Sequence, residues 1–402
     1  MQVTTNPHLV IPVSWHIIPA MYISHITLKN WRNFTSVDVD LGQRVFIAGP
    51  NASGKSNLLD AIGFVRDIAK PGGGLQKAVE ERGGLTKLRC LAARRYPNVE
   101  LELKISELGT ATQWSYKIGM RQESRGRRLP LLTYERVTRD GKDVINRPDS
   151  SDKSDPLLLS QTFLEQISTN AKFRPLADFF ENISYLHLVP QLVRHPEAFP
   201  GPSLPGDPYG KSFLERVAKT PDRTKRARLS QIEKVLRVAV PQLEELSLVK
   251  DESSGTPHLE AKYKHWRLKG AHQREDQFSD GTLRLLALFW SLLEGDSVLL
   301  LEEPELSLNP SIVKKLPALM SKLQKLRKRQ IILSTHSPDL LSDASIGGEE
   351  VLLLTPSGEG TSVETASSDR AIRDLLEGGM TIADAVLPRT APSDINQLDM
   401  FP

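Results

Sequence analysis

The chain of 402 residues has a single cysteine, Cys90. Without a second thiol, no intrachain disulfide and no cysteine-built metal site can form, and a reducing cytoplasm is the expected compartment. Cys90 itself is expected to be a small buried hydrophobe. No apolar run approaches the roughly 20 residues that span a bilayer. The stretch nearest to a secretion signal, residues 9–20 (LVIPVSWHIIPA), carries Pro12 and Pro19 and has no Lys or Arg before it, which does not fit a signal h-region. Residues 1–20 are therefore expected to be an upstream extension, with Met21 opening the native chain. Charge of one sign is also missing. The 52 Lys and Arg against 49 Asp and Glu leave +3, so a uniformly basic coat is excluded while local basic patches stay open. There is no internal repeat and no sustained heptad, which excludes a solenoid and a long coiled coil.

What is present is strongly patterned. Residues 22–28 (YISHITL) alternate apolar and polar in the manner of a strand, and residues 37–41 repeat the pattern. Residues 44–48 (RVFIA) are a short apolar run ending at Gly49, and residues 57–68 have helical spacing. Residues 71–84 are glycine-rich and read as a mobile loop. From 99 to about 144 alternation returns in pieces (VELELKI, WSYKIGM, LTYERV), which predicts an antiparallel meander with turns such as Asp140-Gly141. Residues 146–160 read as a linker, and 160–250 as mainly helical with a Pro/Gly-rich break at 200–210. Strands are predicted at 298–301, 331–334 and 351–354, with a helix at 310–327. The two ends of the chain thus predict one α/β head, from residues 21–90 and 271–366. Residues 91–270 are expected to be inserted as strand and helical lobes, and 367–402 to be a short helix and a polar tail.

Gly49-Pro50-Asn51-Ala52-Ser53-Gly54-Lys55-Ser56 matches G-x-x-x-x-G-K-[ST] without a mismatch, between a predicted strand and a helix. Glycines let the main chain curl so that its N–H groups converge on phosphate oxygens, and the helix opening at Asn57 aims its positive end at them. Lys55 would meet the β- and γ-phosphates, and the Ser56 hydroxyl a Mg²⁺ ion. A second acidic element follows the buried run 298–301: Glu302-Glu303-Pro304-Glu305. Glu302 is expected to hold Mg²⁺ through water, and Glu303 to orient and deprotonate the attacking water. Ser279, before the helical pattern 283–293, is an apt N-cap. With the Gly281 N–H it forms a candidate second anion site, although a simple helix cap reads the sequence equally well. His336, directly after the strand 331–334, is placed to hydrogen-bond a γ-phosphate.

These elements, in this order, resemble the ABC-type ATPase head shared by transporter motors, SMC proteins and RecF-type repair proteins. Leu28-Lys29-Asn30-Trp31-Arg32-Asn33-Phe34 is similar to the opening of the SMC/RecF branch. Glu302-Glu303-Pro304-Glu305 with Leu308-Asn309-Pro310 resembles the EEPE-x-x-L-H-P form of stand-alone bacterial ATPases related to overcoming-lysogenization-defect nucleases, which recur in anti-phage systems. The resemblance implies a P-loop NTPase head with a mixed sheet, in which two copies sandwich two ATP molecules. Ser279 and Gly281 of one copy would complete the site of the other, and residues 306–309 would communicate across the pair. Lys55, Ser56, Glu302, Glu303 and His336 carry over residue by residue. The chain departs from the pattern in reading FSDGT at 278–282, where transporters have LSGGQ, and in having Asn309 where histidine is common. The glutamine that usually contacts the metal is not placed, with Gln122 and Gln161 as candidates by order alone.

Basic residues cluster at Arg121, Arg125, Arg127 and Arg128; at Lys219, Arg223, Lys225, Arg226 and Arg228; and at Lys322, Lys325, Arg327, Lys328 and Arg329. In the RecF/SMC branch such clusters would supply DNA or RNA phosphate contacts; otherwise they are solvated faces. The related nucleases carry a nuclease domain after the head; it is expected to be absent here, and the family layout then implies an effector, a nuclease or toxin, on another polypeptide. The expectation is an ATP-gated homodimer or higher oligomer controlling that effector, in phage defence or another nucleic-acid-directed process. A RecF-like DNA clamp is the alternative. A transporter motor and a non-hydrolysing scaffold fit less well, the first because no coupling motif is present and the second because the glutamate pair is intact.

Overall fold

The computed structural model describes residues 20–93, 97–124, 126, 128–201, 204, 206–266 and 271–391. Most of residues 1–20, the end of the tail and the cluster members Arg125 and Arg127 lie outside the described residues.

Strands β1 (Met21–Trp31) and β2 (Phe34–Asp40) form a hairpin, and β3 (Arg44–Ala48) dives into the centre of the head. Four further strands, β4 (Val99–Glu107), β5 (Gln113–Gln122), β6 (Pro130–Arg139) and β7 (Lys142–Arg147), make the predicted meander. It does not stand apart. An unpaired β1 would present a row of free main-chain groups, and β4 satisfies them, giving one antiparallel sheet in the order β2-β1-β4-β5-β6-β7.

The second sheet carries the candidate site. Its order is β15-β14-β3-β13-β12-β8, from β8 (Ser184–Leu186), β12 (Leu299–Glu302), β13 (Ile331–Ser334), β14 (Val351–Ser357) and β15 (Gly360–Thr365). All pairs are parallel except the β14–β15 edge. Both faces are covered, which is why β3, β12 and β13 read as unbroken apolar runs. Val45, Ile47, Leu300 and Ile332 face one core, shared with the first sheet and helix α1 (Lys55–Ala69). Phe46, Leu299, Leu301, Ile331 and Leu333 face the other, under the helix Asp280–Leu293.

The segment 91–270 is therefore not one insertion. Its first part extends the β1–β2 sheet. Its middle supplies β8, the outer strand of the head sheet beside β12. Its last part, joined by β11 (Ala271–Arg274) just beyond it, builds a lobe from the helix Asp222–Ala239 and a three-stranded sheet with β9 (Leu243–Lys250) and β10 (Pro257–Tyr263). Three residues of strand inside a helically patterned stretch are too few to show periodicity. Residues 71–84 are also more ordered than a glycine-rich loop. Gly74 and Gly84, at φ 108° and 92°, cap the helices Leu75–Glu81 and Leu85–Leu88, whose Leu75, Ala78, Val79, Leu85 and Leu88 are buried. Cys90 is buried, as expected. The linker 146–160 folds around Arg147, whose guanidinium is 1% exposed and meets Glu135 and Asp152 at 2.9 and 2.6 Å.

Candidate functional site

Register brings the site together. Ile47, Ser334 and Glu302 lie in one row across β3, β13 and β12, so the chain leaves all three strands at the same edge of the sheet. From β3 it enters the loop Gly49-Pro50-Asn51-Ala52-Ser53-Gly54, turning through left-handed Ala52 (φ 61°) and Gly54 (φ 98°) into α1. A Cβ at Gly54 would lie 2.2 Å from the Asn33 amide, and one at Gly49 would lie 2.9 Å from the Leu354 carbonyl. Only glycine fits these two positions. Asn33, from the β1–β2 turn, holds the loop from below. Its amide donates to the Ser53 carbonyl at 2.7 Å and to Thr361 Oγ1 at 2.8 Å, and its carbonyl accepts from Asn57 at 2.8 Å. The Trp31 indole adds a bond to the Asn57 carbonyl at 3.0 Å.

Lys55 Nζ lies in the cradle, 3.1 Å from the Gly49 carbonyl and 3.0 Å from that of Pro50. Burial lowers its pKa, against the opposing charges of Glu303 and Glu302. The Ser56 hydroxyl donates to Glu302 Oε1. Glu302 Oε2 accepts from the Tyr185 hydroxyl and sits 3.3 Å from His187 Nδ1. Burial alone would raise this carboxyl. The approach of His187 and the bonds from Ser56 and Tyr185 outweigh it and hold the pKa at about 2. Tyr185 and His187 belong to β8 and its exit, and nothing in sequence order pointed to them. Neither candidate glutamine reaches these carboxylates. Gln122 bonds Thr86 and the Arg128 carbonyl, and Gln161 bonds Gln166.

Glu303 leaves the strand in a left-handed conformation (φ 42°), its N–H donating to the Ser334 carbonyl at 3.1 Å. His336 Nε2 lies 3.5 Å from Glu303 Oε1. Burial, then the charge of Lys55, lower the imidazole pKa against the pull of Glu303. Lys55, Ser56, Glu302, Glu303 and His336 therefore share one edge. Ser279 and Gly281 are placed differently. Ser279 caps its helix by accepting from the Thr282 N–H at 3.2 Å. Gly281 packs on the turn after Glu303, where a Cβ would come within 2.7 Å of the Ser307 carbonyl. Arg194, in the short helix Pro190–Arg194 that follows β8, holds this N-terminus through Asp280 at 2.6 Å and the Phe278 carbonyl at 2.6 Å.

The residues fit a magnesium nucleotide. The loop is a cradle that side chains would fill, and its Ser53 hydroxyl is buried without a partner. The Ser56–Glu302 pair offers one hydroxyl and one carboxylate, the sparse oxygen set that Mg²⁺ takes beside phosphates. Among the described residues no group of three or more His, Cys, Asp or Glu could hold a metal on its own. A cavity of about 740 Å³ opens beside the loop, lined by Arg32, Asn33, Asn57, Thr86, Arg89 and Gly360. The basic clusters are partly spent in packing. Arg329 is 2% exposed and bonds the carbonyls of Ser297, Ser291 and Glu294, and Arg228 stacks over Trp290. Among the described residues no helix is long and apolar enough to cross a membrane.

The chain is similar to the RecF DNA replication and repair protein of Roseiflexus castenholzii, 32% identical over 94 residues, 21% of this chain and 24% of that protein. It is also similar to RecF of Lactobacillus acidophilus, 50% identical over 46 residues, 11% of this chain and 12% of the relative. It thus spans about a quarter or less of the length of these curated relatives. Among solved structures it is similar to an SMC head bound to the C-terminal winged-helix domain of ScpA, with a TM-score of 0.52 at 16% identity, covering 85% of this chain and 97% of that one. A second SMC head, with an extended coiled coil and bound to the C-terminal domain of ScpA, derived from Pyrococcus furiosus, gives 0.51 at 15%, covering 89% and 100%. At these identities the likeness is one of fold. The family described as "AAA domain, putative AbiEii toxin, Type IV TA system" matches residues 44–342, from β3 through the loop, the glutamate pair and His336. The chain belongs to that family, with a phosphate-loop head whose fold is similar to that of SMC heads.

Proposed function

We propose that this chain hydrolyses ATP and works as an ATP-sandwiched homodimer that controls a separate effector, a nuclease or toxin, in phage defence or another nucleic-acid-directed process. The observation that carries hydrolysis is the convergence of Lys55, Ser56, Glu302, Glu303 and His336 on one sheet edge. In this reading residues 49–57 cradle the phosphates and Lys55 turns from its loop carbonyls to them. Ser56 and Glu302 hold Mg²⁺, which supplies charge neutralisation at the phosphates. Glu303 takes the proton of the attacking water, and His336 steadies both that carboxylate and the γ-phosphate. The adjoining cavity takes the nucleoside.

The dimer reading is supported by the capped N-terminus at Ser279 and Gly281, which Arg194 and the Ser307 turn hold in place. The family's description names a putative toxin of a type IV TA system, which is consistent with a place in a defence system. In the test, Lys55→Ala abolishes nucleotide binding, and Glu303→Gln binds ATP, loses turnover and accumulates as a dimer in light scattering. Unchanged turnover in Glu303→Gln would remove Glu303 as the base. The RecF relatives favour a second reading, an ATP-dependent DNA clamp. Salt-sensitive DNA binding by the isolated protein selects it.

A further inference from the structure

Glu305 lies one proline beyond the glutamate pair and has no place in the reaction as set out above. It is 8% exposed. Its Oε1 accepts the Thr335 hydroxyl at 2.5 Å and lies 3.4 Å from the His336 N–H, while Oε2 is buried with no partner. Thr335 is itself fixed on both sides: its N–H donates to the Ile47 carbonyl of β3, and its Oγ1 accepts the Ser337 N–H at 3.0 Å. The turn 303–308 closes on its own main chain, through Leu306 N–H to the Glu303 carbonyl and Leu308 N–H to that of Glu305. A carboxyl is therefore not needed to form the turn, and burying one costs free energy. What its side chain adds is a link between the turn and the loop that carries the histidine.

We propose that Glu305 is a positioning residue for hydrolysis, tying the turn that carries Glu303 to the loop that carries His336 so that both address the same water. The inference rests on the hydrolytic reading above. The 3.5 Å approach of His336 to Glu303 depends on how these two segments sit, and Glu305 is the side chain that joins them directly. Burial, together with the charge of Glu303, pushes the Glu305 carboxyl up, and Arg284 of the helix Asp280–Leu293 faces both acids. An uncharged group of the same shape should hold the same bonds.

The test uses the full chain with Glu305→Ala, Glu305→Gln, Thr335→Val and the double variant Glu305→Ala/Thr335→Val. Phosphate release gives kcat, and a fluorescent ATP analogue gives affinity. Glu305→Ala and Thr335→Val should each lower kcat about tenfold or more with affinity within about threefold of the parent, as misplacement of reacting groups does. The double variant should be no slower than the worse single, because both remove one link. Glu305→Gln should stay within about threefold of the parent, the loss of shape being small. Undiminished turnover in Glu305→Ala, losses that multiply in the double variant, or a Gln variant as slow as Ala would each overturn the proposal. A parent protein without Lys55-dependent turnover would instead overturn the hydrolytic reading, and this inference with it.

Discussion

Asn33→Ala removes three hydrogen bonds at once, to Ser53, Thr361 and Asn57, without changing any residue of the phosphate loop itself. Each such bond contributes about 1 kcal/mol net, and a partner left part-buried costs more. Water can reach part of this site and recover some of the loss, so the loop's organisation should weaken by roughly 1.5–3 kcal/mol. At 1.4 kcal/mol per factor of ten, ATP affinity should fall about 10- to 100-fold. Saturating ATP should restore most of kcat, because bound phosphates reorder the loop from above. Asn33→Asp should be worse than Ala, since it places a carboxylate against the Ser53 carbonyl where a donor stood. Equilibrium titration with a fluorescent ATP analogue and steady-state turnover separate the two parameters. Asn33→Ala with parental affinity, beside a Lys55→Ala control that does not bind, would refute the idea that this turn organises the phosphate loop.

Two further outcomes follow from the charges. The Glu302 pKa, held at about 2, lies below its unfolded value. Its contribution is therefore present above the ordinary carboxylate range near 4.5 and is lost as pH falls from there through about 2, amounting to ~3 kcal/mol at 1.36 kcal/mol per unit. Urea melts across that window should show the loss in the parent and a shallower one in Glu302→Gln. Arg147→Met should destabilise by about 3–5 kcal/mol, because it leaves Glu135 and Asp152 buried without their cation. Nucleotide affinity, measured under folding conditions, should stay at the parental level.

The parts of the site that were legible in the sequence are those whose function is contained in a few consecutive residues. The phosphate loop between β3 and α1, the acids after β12 and the histidine after β13 each announce themselves locally, because strand, turn and chemistry are contiguous. Tyr185 and His187 do not. They meet Glu302 only because a three-residue strand joins the far edge of the sheet, and a strand so short has no period to read. Arg147 and Glu135 are likewise ordinary charges in sequence, and their burial is decided by partners 12 residues apart. The glycines of residues 71–84 suggested a loop. Two of them instead punctuate short helices, and Leu75, Ala78, Val79, Leu85 and Leu88 supply the apolar contacts that hold those helices in place.

The order β14-β3-β13-β12-β8 also governs when the protein can exist on the ribosome. The phosphate loop is complete at Ser56, yet its neighbour β13 ends only at Ser334, and Glu302 closes β12. Gln330 clasps both main-chain groups of Ile23 across 307 positions. Until the strands that follow it emerge, β3 has exposed apolar faces and no parallel partner. Distant pairings of this kind are slow to close and vulnerable while open. The nascent chain should therefore lean on chaperones until β13 has emerged, and ATP should stabilise it only after that point.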